Sequence, residues 1–243
     1  MTGDAGATVA AADGADSKSL FDRLKAACAA PWRAYTDHAF VRALADASLP
    51  ESAFRYYLTQ DYLFLVHFAR AYGLAVFKAD SLSDIRHAAA GLSAMIDQEM
   101  SLHVDYCRRW RLDEAEMAAA PEADATLAYT RFVLERGLAG DLLDLYAALA
   151  PCIVGYAEIG RALAASSRTV LDGNPFRDWI DMYASSEYQE VAAAHILQMD
   201  RLMARRGGPG RLPSLEVTFR QATRLETAFW QMGLNPPAEG SLL

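Results

Sequence analysis

Apolar residues recur at three- and four-residue intervals along nearly the whole chain, and alternating apolar–polar runs are almost absent, so the pattern is helical throughout. In SLFDRLKAACAAPW, Leu20, Leu24 and Ala27 share one face, and a second short helix is expected over residues 37–47. The stretch SLPESAFRYYLTQDYLFLVHFARAYGLAVFKA predicts a central helix, buried on several sides, to about Ala79, with Ser48 as cap and Pro50 in its first turn. Further helices are predicted over about 83–110, 124–138 and 141–165. The last contains Pro151, which lacks an N–H and crowds the carbonyl of Ala147. GNPF places Asn174 as cap and Pro175 as the first residue of a short helix to Ala184, and Ser186 with Gln189 resembles a capping box for a helix through Met203. RRGGPGRLP reads as a loop, and a final helix spans Ser214 to Met232 with Gly233 as its stop. These elements predict an all-α fold, one helical domain of about eight to ten helices over residues 18–235, flanked by a disordered tail at 1–17 and a short tail at 236–243.

Composition narrows the functional classes. The 31 acidic residues outnumber 23 basic ones, the net charge is −8, and no basic run is long enough to track a phosphate backbone, which argues against nucleic acid as a partner. Cys28, Cys107 and Cys152 are too few and too scattered for a disulfide framework or a zinc site. The N-terminal stretch lacks both a basic start and a long apolar run, and the longest uncharged segment, Leu145 to Ala157, is too short to cross a bilayer. We expect a cytoplasmic protein with no membrane partner.

Polar residues on apolar helical faces are the informative exceptions. Asp61 shares its face with Tyr57, Phe64, Leu65 and Phe68, so it must be paired, protonated or in contact with a ligand, and a structural salt bridge meets the pattern as well as a ligand does. Glu226 precedes Phe229 and Trp230 by three and four positions, which suits a pocket acid or an exposed acid at the edge of an amphipathic helix. Glu99, His103 and Tyr106 fall on one face, and a Glu-x-x-x-His pair can hold a metal. A carboxylate-bridged di-iron site needs about six ligands and a partnering Glu-x-x-His, which His38, His67, His87 and His195 do not form. No metal or other cofactor is therefore expected, and a hydrogen bond from His103 to Glu99 is expected instead. Cys152 has Ala148, Leu149, Gly155 and Tyr156 at ±3 and ±4, so nothing on its own helix lowers its pKa; an inert core cysteine is the alternative to a nucleophile.

YYLTQDYLFLVHFAR, EMSLH, AYT at 128–130, LAPCIVGYAEIG, WIDMYAS and LETAFW, in this order and spacing, resemble the TenA (thiaminase II) family from about Leu20 to Gly233. The resemblance implies a haem-oxygenase-like helical bundle assembled as a homotetramer. It implies hydrolysis of 4-amino-5-aminomethyl-2-methylpyrimidine to the hydroxymethyl pyrimidine and ammonia, with thiamin as a second substrate. By position it casts Cys152 as nucleophile, Glu226 as the catalytic acid–base that could take the thiol proton and return it to the departing amine, and Asp61 as the pyrimidine-binding acid. Tyr129, Tyr156 and Tyr183 become pocket residues; Phe64 stands where many members carry tyrosine, which leaves a purely stacking wall. Two other readings remain open: a di-iron or cofactor-forming oxidase on the same bundle, and a non-catalytic pyrimidine-binding regulatory protein.

Overall fold

The segment Leu142–Ala165 folds as one helix and becomes the centre of the protein. Its composition would suit a membrane span, yet 89% of its most apolar window is buried by other helices, so its apolarity is that of a core element. The computed structural model describes residues 18–110, 113–208 and 210–237; the expected N-terminal tail at 1–17 and most of the C-terminal tail lie outside the described residues. In chain order the helices are α1 (Leu20–Ala27), α2 (Ala29–Thr36), α3 (Ala39–Ala45), α4 (Glu51–Lys78), α5 (Leu82–Ala94), a π-helical turn (Met95–Glu99), α6 (Met100–Arg109), α7 (Glu114–Ala119), α8 (Asp124–Ala139), α9 (Leu142–Ala165), α10 (Arg177–Ala184), α11 (Ser186–Arg206) and α12 (Arg211–Leu234). No strand occurs among the described residues. Helices α8, α10, α11 and α12 pack around α9, and α4 joins them from the side of α8 and α12.

Local chemistry explains several departures from the predicted boundaries. Helix α4 begins at Glu51 behind Pro50 with no side-chain cap, because the Ser48 amide belongs to the turn that closes α3, donating to Ala43 O and to the Asp46 carboxylate. Asn174 caps a turn, accepting from Phe176 N at 2.8 Å, so α10 starts at Arg177 and not at Pro175. Ser185, not Ser186, caps α11, and the Gln189 amide reaches Ala157 O and Tyr183 O, tying α11 to α9 and α10. Pro213 lies in the first turn of α12, where a missing N–H costs no helical bond, so RLP is helical and not loop. Gly233 lies inside α12 because Phe40 occupies the place of its side chain. Helix α7, which the apolar pattern did not predict, is set by the reciprocal Asp113–Glu116 capping box. The twelve α-helices among the described residues exceed the expected count because long helical stretches are broken at Cys28 and at the π turn.

Pro151 lies inside α9, where its missing N–H takes a helical donor from the carbonyl of Ala147. The Tyr35 hydroxyl donates to Pro151 O at 3.2 Å, and the Tyr35 ring fills the space where a Cβ on Gly155 would lie. Gly160 serves a second close approach, with its missing Cβ only 2.5 Å from the Tyr183 backbone of α10. Backbone cannot yield as a flexible side chain can, so Gly160→Ala should cost about 1–3 kcal/mol by forcing α9 and α10 apart. Gly73→Ala, in open space on α4, should instead stabilise by about 0.5–1 kcal/mol. Urea denaturation of both variants checks this; equal stabilities would mean that the α9–α10 contact is loose.

Candidate active site

Helix α4 is apolar on nearly every side, so Asp61 has no route to solvent and is only 5% exposed. Its Oδ2 receives two bonds, from the Tyr57 hydroxyl at 2.8 Å and from His103 Nε2 of α6 at 2.7 Å, and its Oδ1 has no hydrogen-bond partner in the described chain. His103 Nδ1 lies 2.6 Å from the main-chain oxygen of Glu99. A carbonyl only accepts, so Nδ1 carries a proton, and a favourable 2.7 Å contact to a carboxylate then requires a proton on Nε2 as well. Burial alone would lower the His103 pKa, but the Asp61 carboxylate and the Glu99 carbonyl outweigh it and raise it, in keeping with an imidazolium–carboxylate pair. The expected His103–Glu99 bond therefore forms to the backbone of Glu99, because the imidazole is turned toward Asp61.

Glu226 is 1% exposed, which excludes an acid at a solvent edge. Phe229, three residues on, packs on Tyr57 and Phe64, and Trp230 stacks on Phe40 at 4.9 Å, so this face of α12 points inward. The Tyr129 hydroxyl of α8 donates to Glu226 Oε1 at 2.7 Å. Burial pushes the Glu226 pKa up to about 8; the Tyr129 bond opposes that rise, and the charges of Asp61 and Glu99 add to it. Glu99 is likewise pushed up, to about 7, by burial, with the Tyr188 hydroxyl opposing the shift.

Cys152 lies on α9 near these acids. Burial and the charges of Glu226, Glu99 and Asp61 push its thiol well above the usual range, so it rests as a neutral thiol. Aromatic rings complete the surroundings. Phe64 lies 4.8 Å from Tyr129 between ring centroids; Tyr156 lies 4.8 Å from Tyr183, and its hydroxyl is 3.4 Å from that of Tyr57. The sequence-derived residues thus fall into two linked groups, Asp61 with Tyr156 and Tyr183, and Glu226 with Tyr129 and Phe64, both beside Cys152. Sequence reasoning missed Tyr57, which bridges Asp61 and Tyr156 and also accepts from Trp179 Nε1 at 3.4 Å. Its place at i−4 to Asp61 was the available signal. Cys107 packs with Tyr62, Leu63 and Met117 in a separate small cluster, and Cys28 lies beside Thr223. Among the described residues no three of His, Cys, Asp and Glu converge as a metal-binding group.

The arrangement is an all-helical bundle that holds one thiol among buried carboxylates and aromatic rings. Residues 26–236 match the TENA/THI-4/PQQC family model, and the chain belongs to that family. It is 36% identical over 205 residues to an aminopyrimidine aminohydrolase of Halalkalibacterium halodurans, covering 84% of this chain and 90% of that one. It is 41% identical over 204 residues to an uncharacterised protein of Haemophilus influenzae, covering 84% and 94%. A crystal structure described as a TenA family transcription regulator from a Silicibacter species superposes with a TM-score of 0.84 at 44% identity, over 89% of this chain and 97% of that one. The fold is the haem-oxygenase-like helical bundle.

The raised pKa of Glu226 has a consequence for stability. A carboxyl that binds its proton more tightly when folded contributes stability below its unfolded pKa, near 4.5, and loses it as pH rises to about 8. Glu226→Gln removes that dependence. Its stability relative to the unmutated protein should therefore increase from pH 5 to about pH 8 and level off beyond, as followed by urea unfolding across pH 5–9. A flat difference would mean that Glu226 is ionised at neutral pH in the fold.

Proposed function

We propose that this protein hydrolyses 4-amino-5-aminomethyl-2-methylpyrimidine to the hydroxymethyl pyrimidine and ammonia, serving thiamin salvage, and that it cleaves thiamin by the same chemistry. The observation that carries this reading is a buried thiol near Glu226, an acid with no cation of its own among the described residues, opposite an aspartate paired with His103 whose Oδ1 has no hydrogen-bond partner among them. The similarity to the H. halodurans aminohydrolase supports the substrate class.

In this reading the pyrimidine lies flat among Phe64, Tyr156 and Tyr183. Oδ1 of Asp61 accepts from the exocyclic amino group, while His103 and Tyr57 hold Oδ2 and keep the carboxylate oriented. With Oδ2 already taking two donors, one strong bond to the amino group replaces a two-pronged grip. In its ionised form Glu226 takes the Cys152 proton as Sγ bonds to the ring carbon beside the arm-bearing carbon. Ring electrons then expel the arm nitrogen: the C–N bond breaks with its pair going to nitrogen, and an exocyclic methylene forms. Water adds its hydroxyl to that methylene and its proton goes to the departed ammonia. The electrons return, the C–S bond breaks, and the sulfur recovers its proton from Glu226. An arm that binds already protonated needs no acid to leave, so the proton held by Glu226 returns to sulfur. One displacement that an aromatic ring resists becomes several lower steps.

A homotetramer in the cytoplasm completes the proposal. Phe77 on α4 and Leu138 on α8 are 86% and 68% exposed, and Lys78 Nζ, next in chain to Phe77, donates to Leu138 O; these exposed apolar side chains support assembly. A regulatory protein with the same pocket would bind the pyrimidine without turning it over.

Ammonia release separates these readings. Cys152→Ser should retain the fold and lose activity by about 10³-fold or more, the scale seen when a covalent nucleophile is removed. Cys28→Ser and Cys107→Ser should stay near the parent rate. Wild-type protein that binds the aminopyrimidine but releases no ammonia would support the regulatory reading, and an active Cys152→Ser would return Cys152 to the core.

Asp61→Asn should lower turnover far more than the melting temperature, because it keeps the shape and replaces an acceptor and an anion. Unchanged kinetics with a lowered melting temperature would restrict Asp61 to pairing His103.

A further inference from the structure

A cleft between the π turn and α11 is lined by none of the residues given a role above. Its walls are apolar, from Phe68 and Tyr72 of α4, Met95 of the π turn and Ile153 of α9, and its polar groups include Glu99 and Tyr188. Ile153 directly follows Cys152 in the chain. The Glu99 carboxyl also raises the pKa of the Cys152 thiol, so cleft and thiol belong to one interior.

Three features separate Glu99 from an ordinary core acid. It is 7% exposed, and only the Tyr188 hydroxyl, among the described residues, offers its carboxylate a hydrogen bond, while His103 uses its main-chain oxygen. It has no cation of its own, because the one nearby, His103, is spent on Asp61. It ends a π-helical turn inside an otherwise α-helical stretch, an irregularity that is frequent at functional sites.

A buried carboxylate without a counter-ion is costly, and a ligand that brings a positive charge relieves that cost. The aminomethyl arm of the proposed substrate is an ammonium at neutral pH; the hydroxymethyl arm of the product is neutral. We infer that Glu99 is a specificity-determining residue, its carboxylate receiving the cationic arm at the inner end of this cleft, so that the site prefers pyrimidines with an ammonium arm over those with a neutral one. This rests on the aminopyrimidine reading above and deepens it. The same contact favours release of product, which no longer carries the charge that held the substrate. Tyr188 supports it by steadying the ionised form of Glu99.

Binding by titration calorimetry at pH 8 tests the inference in the full-length Cys152→Ser protein, which holds substrate without turning it over. The two ligands are the aminomethyl and hydroxymethyl pyrimidines, and the quantity read is the ratio of their affinities. The parent should prefer the aminomethyl ligand, and adding Glu99→Gln should reduce that ratio by about 10-fold or more, as loss of a charge-assisted bond does. Tyr188→Phe, which leaves the acid in place, should reduce it about 2- to 5-fold; it decides the matter alone should the Glu99 variant fail to fold. A ratio unchanged by either substitution overturns the role of Glu99 and leaves the aminopyrimidine reading standing. A parent that binds neither ligand overturns both.

Discussion

Desolvation of acids is the constraint around which this interior is arranged. Asp61, Glu99 and Glu226 share it with the Cys152 thiol, and only Asp61 has a cation, the imidazole of His103. Glu99 and Glu226, without such a partner, are driven toward their protonated forms near neutral pH. The thiol is held neutral by the same burial and by its acidic neighbours. A resting site of this kind is unreactive toward passing electrophiles. It becomes reactive when a ligand supplies what the protein withholds: an electrophilic ring beside the sulfur and positive charge beside the acids.

The helices bear the cost of that arrangement. Helix α9 carries Cys152 through the centre of the bundle, and its environment is almost wholly apolar. Pro151 removes a helical hydrogen bond one residue before the thiol, and the Tyr35 hydroxyl donates to the Pro151 carbonyl across the space left by Gly155. Gly160 then lets α10 approach closely enough to bring Tyr183 and Trp179 against Tyr156. Two glycines and one tyrosine thus link the packing of α9 to the aromatic wall of the pocket. Substitutions there act on stability and on the site together, whereas the carboxylates can be changed with modest effect on packing.

Much of the fold was legible in the chain because helical periodicity states directly which face of each segment is buried. The segments around α4 and α9, apolar on several sides, could only be interior helices. Asp61, Glu226 and Cys152 stood out because each interrupts an apolar face or follows a proline within one. Boundaries were less legible where neighbouring residues offered equivalent chemistry, as with Ser185 and Ser186, and where a packing partner rather than a stop signal decided the end, as at Gly233 against Phe40.

Partners and protonation states were settled only by tertiary structure. His103 meets Asp61 across 42 residues of chain and Tyr129 meets Glu226 across 97, and no local period encodes such a pairing. The sequence placed His103 one turn from Glu99, yet the ring donates to the backbone there and gives its other nitrogen to a different helix. The pKa of a buried acid depends on how many neighbours remove water from it and which charges remain within reach, a sum over space and not over sequence. The chain alone therefore determined a helical bundle with three conspicuous polar intruders. Folding decided that one of those carboxylates is paired with a cation, that Glu226 and Glu99 are not, and that the thiol lies beside all three.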